Sequence, residues 1–253
     1  MSIAILKNKS ETDPDRASDA AGRDRSSMAD RATHRLRDRI LDLTFAPGMT
    51  LDEKFLHDTL QVGRTPMREA LNRLMSEGLI ETAGGRGFVV ARMDFNDAAQ
   101  LLDGYVMCER MVATLVDFET AGLVQSLDAV NRDLRQFSKD GDILKVTAGN
   151  ADFHRLLAQS TGNMHVAEFS SRLHNLARRL SHYIYRAEVR KNGHPAPLSQ
   201  RPLDDHAKII SAIDDRDRNA LIELVSKHGT LFRSRLGKVI EGDGRTDISF
   251  KLD

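Results

Sequence analysis

The sequence predicts a mainly α-helical protein with an N-terminal winged helix-turn-helix and a C-terminal all-α helical bundle. Apolar residues recur at helical spacing along most of the chain, and a short β-hairpin pattern follows the third helix. The chain has ten Phe, three Tyr and no Trp, which is fewer aromatic residues than an all-β sandwich usually carries. Its 253 residues, 40% of them apolar, are enough for one or two domains with cores.

The composition and charge pattern divides the chain into four segments. We expect a disordered polar extension over 1–28, a DNA-binding domain over 29–93, a helical effector-binding and dimerisation domain over 94–239, and a polar tail over 240–253. Translation could start at Met1 or at Met28, and the sequence leaves both open.

Three helices are predicted in the N-terminal domain. Apolar residues at helical spacing predict a first helix over 32–45, which Ala46-Pro47-Gly48 ends. Asp52 is the predicted N-cap of the second helix. Thr65 is the predicted N-cap of the third helix, with Pro66 at its first position.

A β-hairpin is predicted to follow the third helix. Gly78 ends that helix, and the short apolar runs at 79–82 and 88–90 flank a glycine-rich turn at 84–87. Three helices with a tight second connection, followed by a hairpin, are typical of a winged helix-turn-helix. The alternative is a small helical core with a hairpin that does not bind DNA.

The charges on the third helix favour the DNA-binding interpretation. Arg64 and Arg68 are four residues apart and share one helix face, opposite the apolar stripe of Met67, Leu71 and Leu74. An exposed helix end with two arginines is what a helix needs to contact base edges in a DNA groove.

The C-terminal domain is predicted to be helical throughout, without an internal repeat. Its helical patterns run over 95–118, 122–138, 143–160, 164–190, 200–214 and 216–238. The longest two, 95–118 and 164–190, are the candidate dimer interface.

Three histidines of this domain are candidate metal ligands. His154, His206 and His228 each lie on the apolar face of a different predicted helix, and Asn150 lies one turn before His154. Neutral imidazoles that meet inside a bundle can bind a divalent metal, although a single inward histidine is more often a packing residue. The other six are treated as surface or packing residues: His34, His57, His165, His174, His182 and His194.

Several classes of function are excluded or disfavoured. Lysine plus arginine and aspartate plus glutamate both number 37, so a polycationic tail is not the means of holding nucleic acid. Cys108 is the single cysteine, which excludes an internal disulfide. No segment approaches the roughly 18 to 20 apolar residues of a membrane span, and we expect a cytoplasmic protein. No His-Glu-x-x-His stretch or phosphate-binding loop supports an enzyme.

The N-terminal motifs resemble the GntR family of bacterial transcription regulators. Residues 62–71 (VGRTPMREAL), Glu77-Gly78-Leu79-Ile80, and the flanking segments 46–51 and 85–89 match that family in order. The C-terminal half resembles the FadR-type (FCD) effector domain. Its marks are Phe153-His154, Gly162-Asn163, His206 and His228, and the whole resemblance covers roughly residues 32–238.

The resemblance implies a dimeric regulator that binds a pseudo-palindromic double-stranded DNA operator. The DNA contacts would come from six residues: Arg35, Arg64, Thr65, Arg68, Gly85 and Arg86. The effector domain would be an all-helical bundle that binds a small molecule, often a carboxylate, over zinc or nickel. The metal ligands would be Asn150, His154, His206 and His228, and the effector pocket would include Tyr105 and Arg179.

This chain departs from the family pattern at three positions. Gly63 stands where the family usually has Ser or Thr, so one hydroxyl is missing. Asn150 stands where an Asp is the common first metal ligand, so the site has one negative charge fewer. Tyr105 falls near a position where many members have an arginine.

The favoured interpretation is therefore a ligand-responsive DNA-binding transcription regulator. Two alternatives remain. One is a metal-dependent enzyme that uses the histidine cluster, and the other is an architectural DNA-binding protein without an effector.

Overall fold

The computed structural model describes residues 27–84, 87–192 and 200–243. Residues 1–26 of the predicted extension, Gly85 and Arg86 of the predicted wing tip, His194, and residues 244–253 of the predicted tail lie outside this part. The described elements follow in the order α1 (Met28–Leu41), β1 (Thr50–Leu51), α2 (Glu53–Leu60), α3 (Arg64–Ser76), β2 (Ile80–Thr82), β3 (Phe88–Val90), α4 (Phe95–Leu115), α5 (Leu123–Lys139), α6 (Ile143–Gln159), α7 (Met164–Asn192), α8 (Arg201–Asp214) and α9 (Arg218–Asp243). The predicted fold class is confirmed.

The first helix begins four residues earlier than predicted, within the segment assigned to the extension. Ser27 and Asp30 form a capping box: the Asp30 amide donates to Ser27 Oγ at 3.0 Å, and the Ser27 amide donates to Asp30 Oδ2 at 2.8 Å. Two of the unpaired amides at the helix start are thereby satisfied. The helix also ends four residues early, because Leu43 adopts a left-handed conformation with φ of 65°.

The predicted cap of the second helix is confirmed and that of the third is wrong. Asp52 Oδ1 accepts a hydrogen bond from the Phe55 amide at 2.7 Å. The N-cap of α3 is Gly63, and Thr65 is the second helical residue rather than the cap. Because Gly63 has no side chain to accept a hydrogen bond, the first amides of α3 remain available to an anion.

The wing contains one strand more than the predicted hairpin. The three strands are antiparallel in the order β1-β3-β2, so β3 lies between the other two. Thr50 pairs with Val89, and Ile80 pairs with Val90. The sheet packs on the core of α1 to α3, to which Val90 contributes a fully buried side chain.

The helices α4 to α9 form the C-terminal bundle, in which α6 packs against α5 and α7 and α4 packs against α7 and α9. The last helix continues to Asp243, past the predicted start of the polar tail at residue 240. None of the helices in the described ranges is long and apolar enough to cross a membrane.

Helix α7 also connects the bundle to the N-terminal domain. Leu176 packs against the N-terminal core, and its Cδ2 lies 3.5 Å from where a Cβ on Gly78 would be. Arg179 donates a hydrogen bond to the Ala91 carbonyl at 2.5 Å, and Arg186 donates to the Asp42 carbonyl at 3.2 Å. Leu43 and Met93 also pack into a buried cluster with side chains of α4, α7 and α9. Helix α7 therefore contributes hydrogen bonds and apolar contacts to a junction that it shares with α4 and α9.

Candidate DNA-binding surface and metal site

Helix α3 presents a polar, cationic face to solvent. Arg64, Thr65 and Arg68 are exposed, whereas Met67 and Leu71 on the other face are buried. This separation follows from the helical period, because the apolar side chains must pack against α1. The three polar side chains therefore lie together at the N-terminal end of the helix.

Two of the predicted DNA-binding arginines have partners within the N-terminal domain. Arg68 forms an ion pair with Glu53 at 2.7 Å, and both side chains are exposed. Arg35 donates to the Leu60 carbonyl at 3.0 Å and so links α1 to the end of α2. Arg64 is exposed and forms no ion pair with any described residue. Gly85 and Arg86 lie outside the described residues.

The three predicted metal-binding histidines converge inside the bundle. His154 comes from α6, His206 from α8 and His228 from α9, and all three are buried. Each offers a ring nitrogen, and these three atoms lie within 4.8 Å of one another. The bundle thus brings together residues that are 52 and 22 positions apart in the sequence, by their residue numbers.

The nitrogens of this cluster fit a metal. Neither ring nitrogen of His206 has a hydrogen-bond partner, and a buried polar atom left unpaired is rare unless an ion or water is missing. His228 Nδ1 is 3.8 Å from Asp205 Oδ2, beyond hydrogen-bond distance. Burial lowers the pKa of His154, His206 and His228 below that of a solvated histidine. Their neutral imidazoles are the form that binds zinc or nickel.

A carboxylate that the sequence analysis missed supports the cluster. Glu109 of α4 lies 2.5 Å from His154 Nδ1 and 2.8 Å from His174 Nε2. Burial opposes ionisation of this carboxyl, but the two imidazoles outweigh that effect and hold the pKa of Glu109 well below its usual range. Glu109, His154 and His174 also offer ligand atoms within 4.8 Å of one another. His174 is therefore not a surface residue, and it pairs with Glu109 in addition to packing.

The positions of Glu109 and His174 on their helices could have identified both residues from the sequence. Glu109 lies one turn after Tyr105 and before Val112, and both of these are buried. His174 lies one turn after Ser170 and before Ala177, which are also buried. Each polar residue therefore stands on an inward stripe, as the three chosen histidines do. Of the remaining histidines, His34, His57 and His165 are exposed, and His182 is buried.

Asn150 and Tyr105 lie beside the histidines. The Tyr105 hydroxyl is 3.4 Å from His154 Nε2, and both Tyr105 and Asn150 line the cavity that adjoins the histidines. Burial raises the pKa of Tyr105 well above that of a solvated tyrosine. The phenol is therefore a neutral hydrogen-bonding group facing the nitrogen of His154 that Glu109 leaves free.

A cavity adjoins this cluster. Its lining includes Tyr105, Asn150, His174, Arg178, His228 and Arg235. The empty space is about 510 Å³ with its opening to solvent included, and little of it is wide enough for a water molecule. A ligand must therefore be small or must displace side chains.

Arg179, which the sequence analysis assigned to the effector pocket, is not part of this lining. It points toward the domain linker, where it binds the Ala91 carbonyl, and the preceding residue, Arg178, lines the cavity instead. Neighbouring residues on a helix point about 100° apart, so a one-residue shift changes which side chain faces the cavity.

An exposed cationic helix in a winged domain, together with a cavity in a helical bundle, is typical of a DNA-binding transcription regulator with an effector domain. The model for bacterial regulatory proteins of the gntR family matches residues 28–90, and the FCD domain model matches residues 108–230. The chain belongs to the GntR family, in its FCD branch.

Relatives and solved structures agree with this assignment. The uncharacterized HTH-type transcriptional regulator YdhC of Bacillus subtilis is 22% identical over 200 residues, 77% of this chain and 84% of that protein. The HTH-type transcriptional repressor GlaR of Escherichia coli is 24% identical over 76% of this chain and 88% of that protein. The structure of E. coli McbR/YncC, at 20% identity, shares the fold with a TM-score of 0.69 over 84% of this chain and 98% of that one.

These findings exclude the enzyme alternative, because the matching families and relatives are transcription regulators. FCD domains often bind a metal ion, and the buried His/Glu clusters described above are groups that could hold one.

Proposed function

We propose that this protein is a homodimeric regulator that binds a pseudo-palindromic operator and responds to a small-molecule effector. The exposed face of Arg64, Thr65 and Arg68 carries the proposal, because its side chains can reach base edges while the core side chains of α3 stay buried. The unpaired amides after Gly63 can receive a backbone phosphate. Arg68 would exchange its exposed partner Glu53 for DNA.

The helical domain is proposed to hold a divalent metal, zinc or nickel. His154, His206 and His228 would bind it through nitrogen, and Asn150 would add its carbonyl oxygen. Four protein ligands without a carboxylate leave the charge of the ion uncompensated. A bound ion would supply a Lewis-acidic point for an anionic or chelating effector. The cavity beside the histidines favours an effector-responsive regulator over an architectural DNA-binding protein.

The proposed dimer is supported by an apolar face on the bundle. Five of the six exposed large apolar side chains in the described part lie on α4 and α7: Met107, Met111, Leu115, Met164 and Phe169. The helices α4 and α7 pack against each other, so these side chains belong to neighbouring helices. An apolar patch of this kind is typical of an interface. A two-fold dimer would give a recognition site of two half-sites.

Electrophoretic mobility shift with genomic fragments tests the DNA-binding part. Arg64→Ala and Arg68→Ala should each weaken binding to the selected operator roughly 5- to 150-fold, because each removes a base or phosphate contact. Arg132→Ala, which removes an exposed arginine of α5, should bind normally. Normal binding by both α3 variants would show that this helix is not the reading head.

Elemental analysis of protein purified without chelator tests the metal. We expect zinc or nickel in the wild type and almost none in a His206→Ala, His228→Ala double variant, since both buried ligands are removed. Equal metal in the two proteins would contradict the assignment and return the histidines to a packing role.

A further inference from the structure

The three histidines of the proposed metal site are held in different ways. Glu109 lies 2.5 Å from His154 Nδ1, and the carboxylate of Asp205 faces His228 Nδ1 at 3.8 Å. His206 has no such partner among the described residues, because neither of its ring nitrogens makes a hydrogen bond. Metal-binding histidines usually have a hydrogen-bond acceptor that fixes the orientation of the ring. A contact of another kind must therefore orient His206.

The ring of Phe153 stacks on the imidazole of His206. The two ring centroids are 3.9 Å apart, and the ring planes are within 4° of parallel. Both side chains are fully buried, so neither ring has room to move away. A rotation of the imidazole about its Cβ–Cγ bond would tilt one ring into the other. The stack therefore fixes the plane in which the two nitrogens of His206 lie.

The stacked ring also favours an imidazole that is bound to a cation. A metal ion withdraws electrons from its imidazole ligand, so the ring becomes more positive. The face of a phenylalanine ring carries partial negative charge and attracts positive charge. The contact between Phe153 and His206 is therefore stronger with a metal-bound imidazole than with a neutral one, and it adds to metal affinity.

Phe153 and His154 are neighbours on α6 and serve two different histidine positions. Neighbouring side chains on a helix point about 100° apart, so His154 offers its own nitrogen while Phe153 supports His206 of α8. Phe153 also meets the ring of His154 edge-on, with centroids 5.5 Å apart. One turn of α6 thus sets the orientation of two of the three histidines.

We propose that Phe153 is a positioning residue of the metal site, which orients His206 by ring stacking where the other two histidines face a carboxylate. This inference rests on the proposed metal-binding function and assigns a part in it to a residue without a ligand atom. Leucine in place of Phe153 would keep an apolar side chain in the core but would leave the plane of His206 free to tilt.

Metal titration of the full chain, stripped with a chelator and dialysed, tests this role. Zinc affinity is measured by competition with a chromophoric chelator, and cobalt(II) is the second probe because its visible absorption depends on the number and geometry of its ligands. Phe153→Leu removes the stacked ring, and Phe153→Met is a second variant with a more adaptable side chain. Leu127→Ala is the control, because it removes buried apolar atoms of the same core cluster from α5.

Both Phe153 variants should bind zinc about 3- to 30-fold more weakly than the wild type, and their cobalt spectra should differ from its spectrum. Leu127→Ala should unfold at a lower temperature but keep the wild-type affinity and spectrum. In a His206→Ala background, Phe153→Leu should cause no further loss of affinity, because the ring that it orients is gone.

Wild-type affinity and spectra in the folded Phe153 variants would overturn the inference, and so would an equal loss of affinity with and without His206. In either case a wild type that binds both ions retains the proposed metal site and loses only its positioning residue. A wild type that binds neither zinc nor cobalt would overturn the proposed metal site together with this inference.

Discussion

Glu109 determines which nitrogen of His154 is available to a metal. Because the carboxylate accepts from Nδ1 at 2.5 Å, the neutral ring carries its proton on Nδ1 and leaves the Nε2 lone pair free. Metal-binding histidines commonly use such a carboxylate to fix the ring orientation and increase the basicity of the other nitrogen. Glu109 is thus a positioning residue for the proposed metal site, and it ties α4 to α6 and α7.

Glu109→Gln should lower zinc affinity by about 10- to 100-fold, because the amide cannot accept from both imidazoles and holds no charge. Competition with a chromophoric chelator measures the affinity directly, and circular dichroism checks the fold. Glu168→Gln, an exposed position on α7, is the matched control. Unchanged affinity in a folded Glu109→Gln protein would show that Glu109 has only a packing role.

His182 should make the protein less stable in acid. Burial lowers the pKa of His182 to about 4, and the nearby cations Arg186 and Arg178 add to this effect. The carboxylate of Asp42 acts in the opposite direction. His182 Nδ1 is buried without a hydrogen-bond partner. Below the unfolded-state pKa of about 6.5 the unfolded chain binds a proton that the folded chain excludes. Stability is therefore lost as pH falls from 6.5 to 4, by about 3 kcal/mol for this group.

Urea unfolding at several pH values measures this loss. His182→Gln should lose less stability than the wild type between pH 6.5 and pH 4, since glutamine takes up no proton. His165→Gln, which changes an exposed histidine of the same helix, should follow the wild-type curve. Parallel curves for His182→Gln and the wild type would contradict the buried neutral state.

Helical periodicity was sufficient to place three histidines inside the bundle, but the sequence could not show which groups meet there. His154, His206 and His228 each lie on an apolar stripe, which a single helix reveals. Glu109 and His174 are 65 positions apart in the sequence and lie on different helices. Their contact therefore depends on tertiary packing. Arg178 lines the cavity where the sequence predicted Arg179, because the apolar pattern does not show which of two neighbouring residues faces inward.

At the scale of elements, the helices α4 and α9 approach closely at a glycine. A Cβ on Gly229 would lie 2.7 Å from Val106 Cγ2, and a β-branched side chain has little freedom to move away. Gly229→Ala should therefore destabilise the protein by about 1–3 kcal/mol.

Gly237, eight residues later in the same helix, is the matched control, because a Cβ there meets nothing within 4 Å. Gly237→Ala should be stabilising by about 0.5–1 kcal/mol through helix propensity alone. Urea unfolding of the two variants measures both effects. A stabilising Gly229→Ala would mean that α4 and α9 are farther apart than described.

The sequence predicted the elements better than their ends. The apolar period identifies all six helices of the bundle, whereas the α1 start depends on the Ser27 and Asp30 capping box, a local polar signal that the apolar pattern does not contain. The strand Thr50–Leu51 has two residues, too few for an alternating pattern. This strand forms because it pairs with β3. The pairing depends on the tertiary fold and cannot be read from the local sequence.

At the scale of the whole molecule, α7 takes part in both proposed functions. Leu176, Arg179 and Arg186 contact the N-terminal domain, while His174 and Arg178 line the cavity. If α7 has two orientations, a ligand that binds one of them better would favour the corresponding position of the DNA-binding domain. In a dimer, the same shift would change the distance between two recognition helices.

The apolar face on α4 and α7 should hold that dimer together. A double variant, Met107→Glu with Met111→Glu, would bury repelling charges in the proposed interface, so light scattering at micromolar concentration should give a monomer mass where the wild type gives a dimer. Operator affinity should fall with it, because a monomer contacts only one half-site.

Gln125→Glu, which places a negative charge on an exposed position of α5, controls for the added charge and should remain dimeric. Thermal unfolding distinguishes a folded monomer from a misfolded one, because Met107 and Met111 are exposed in a single chain and their replacement removes little from its core. If the double variant stays a dimer with full operator affinity, the two chains must associate through another surface, and α7 would lie away from the two-fold axis.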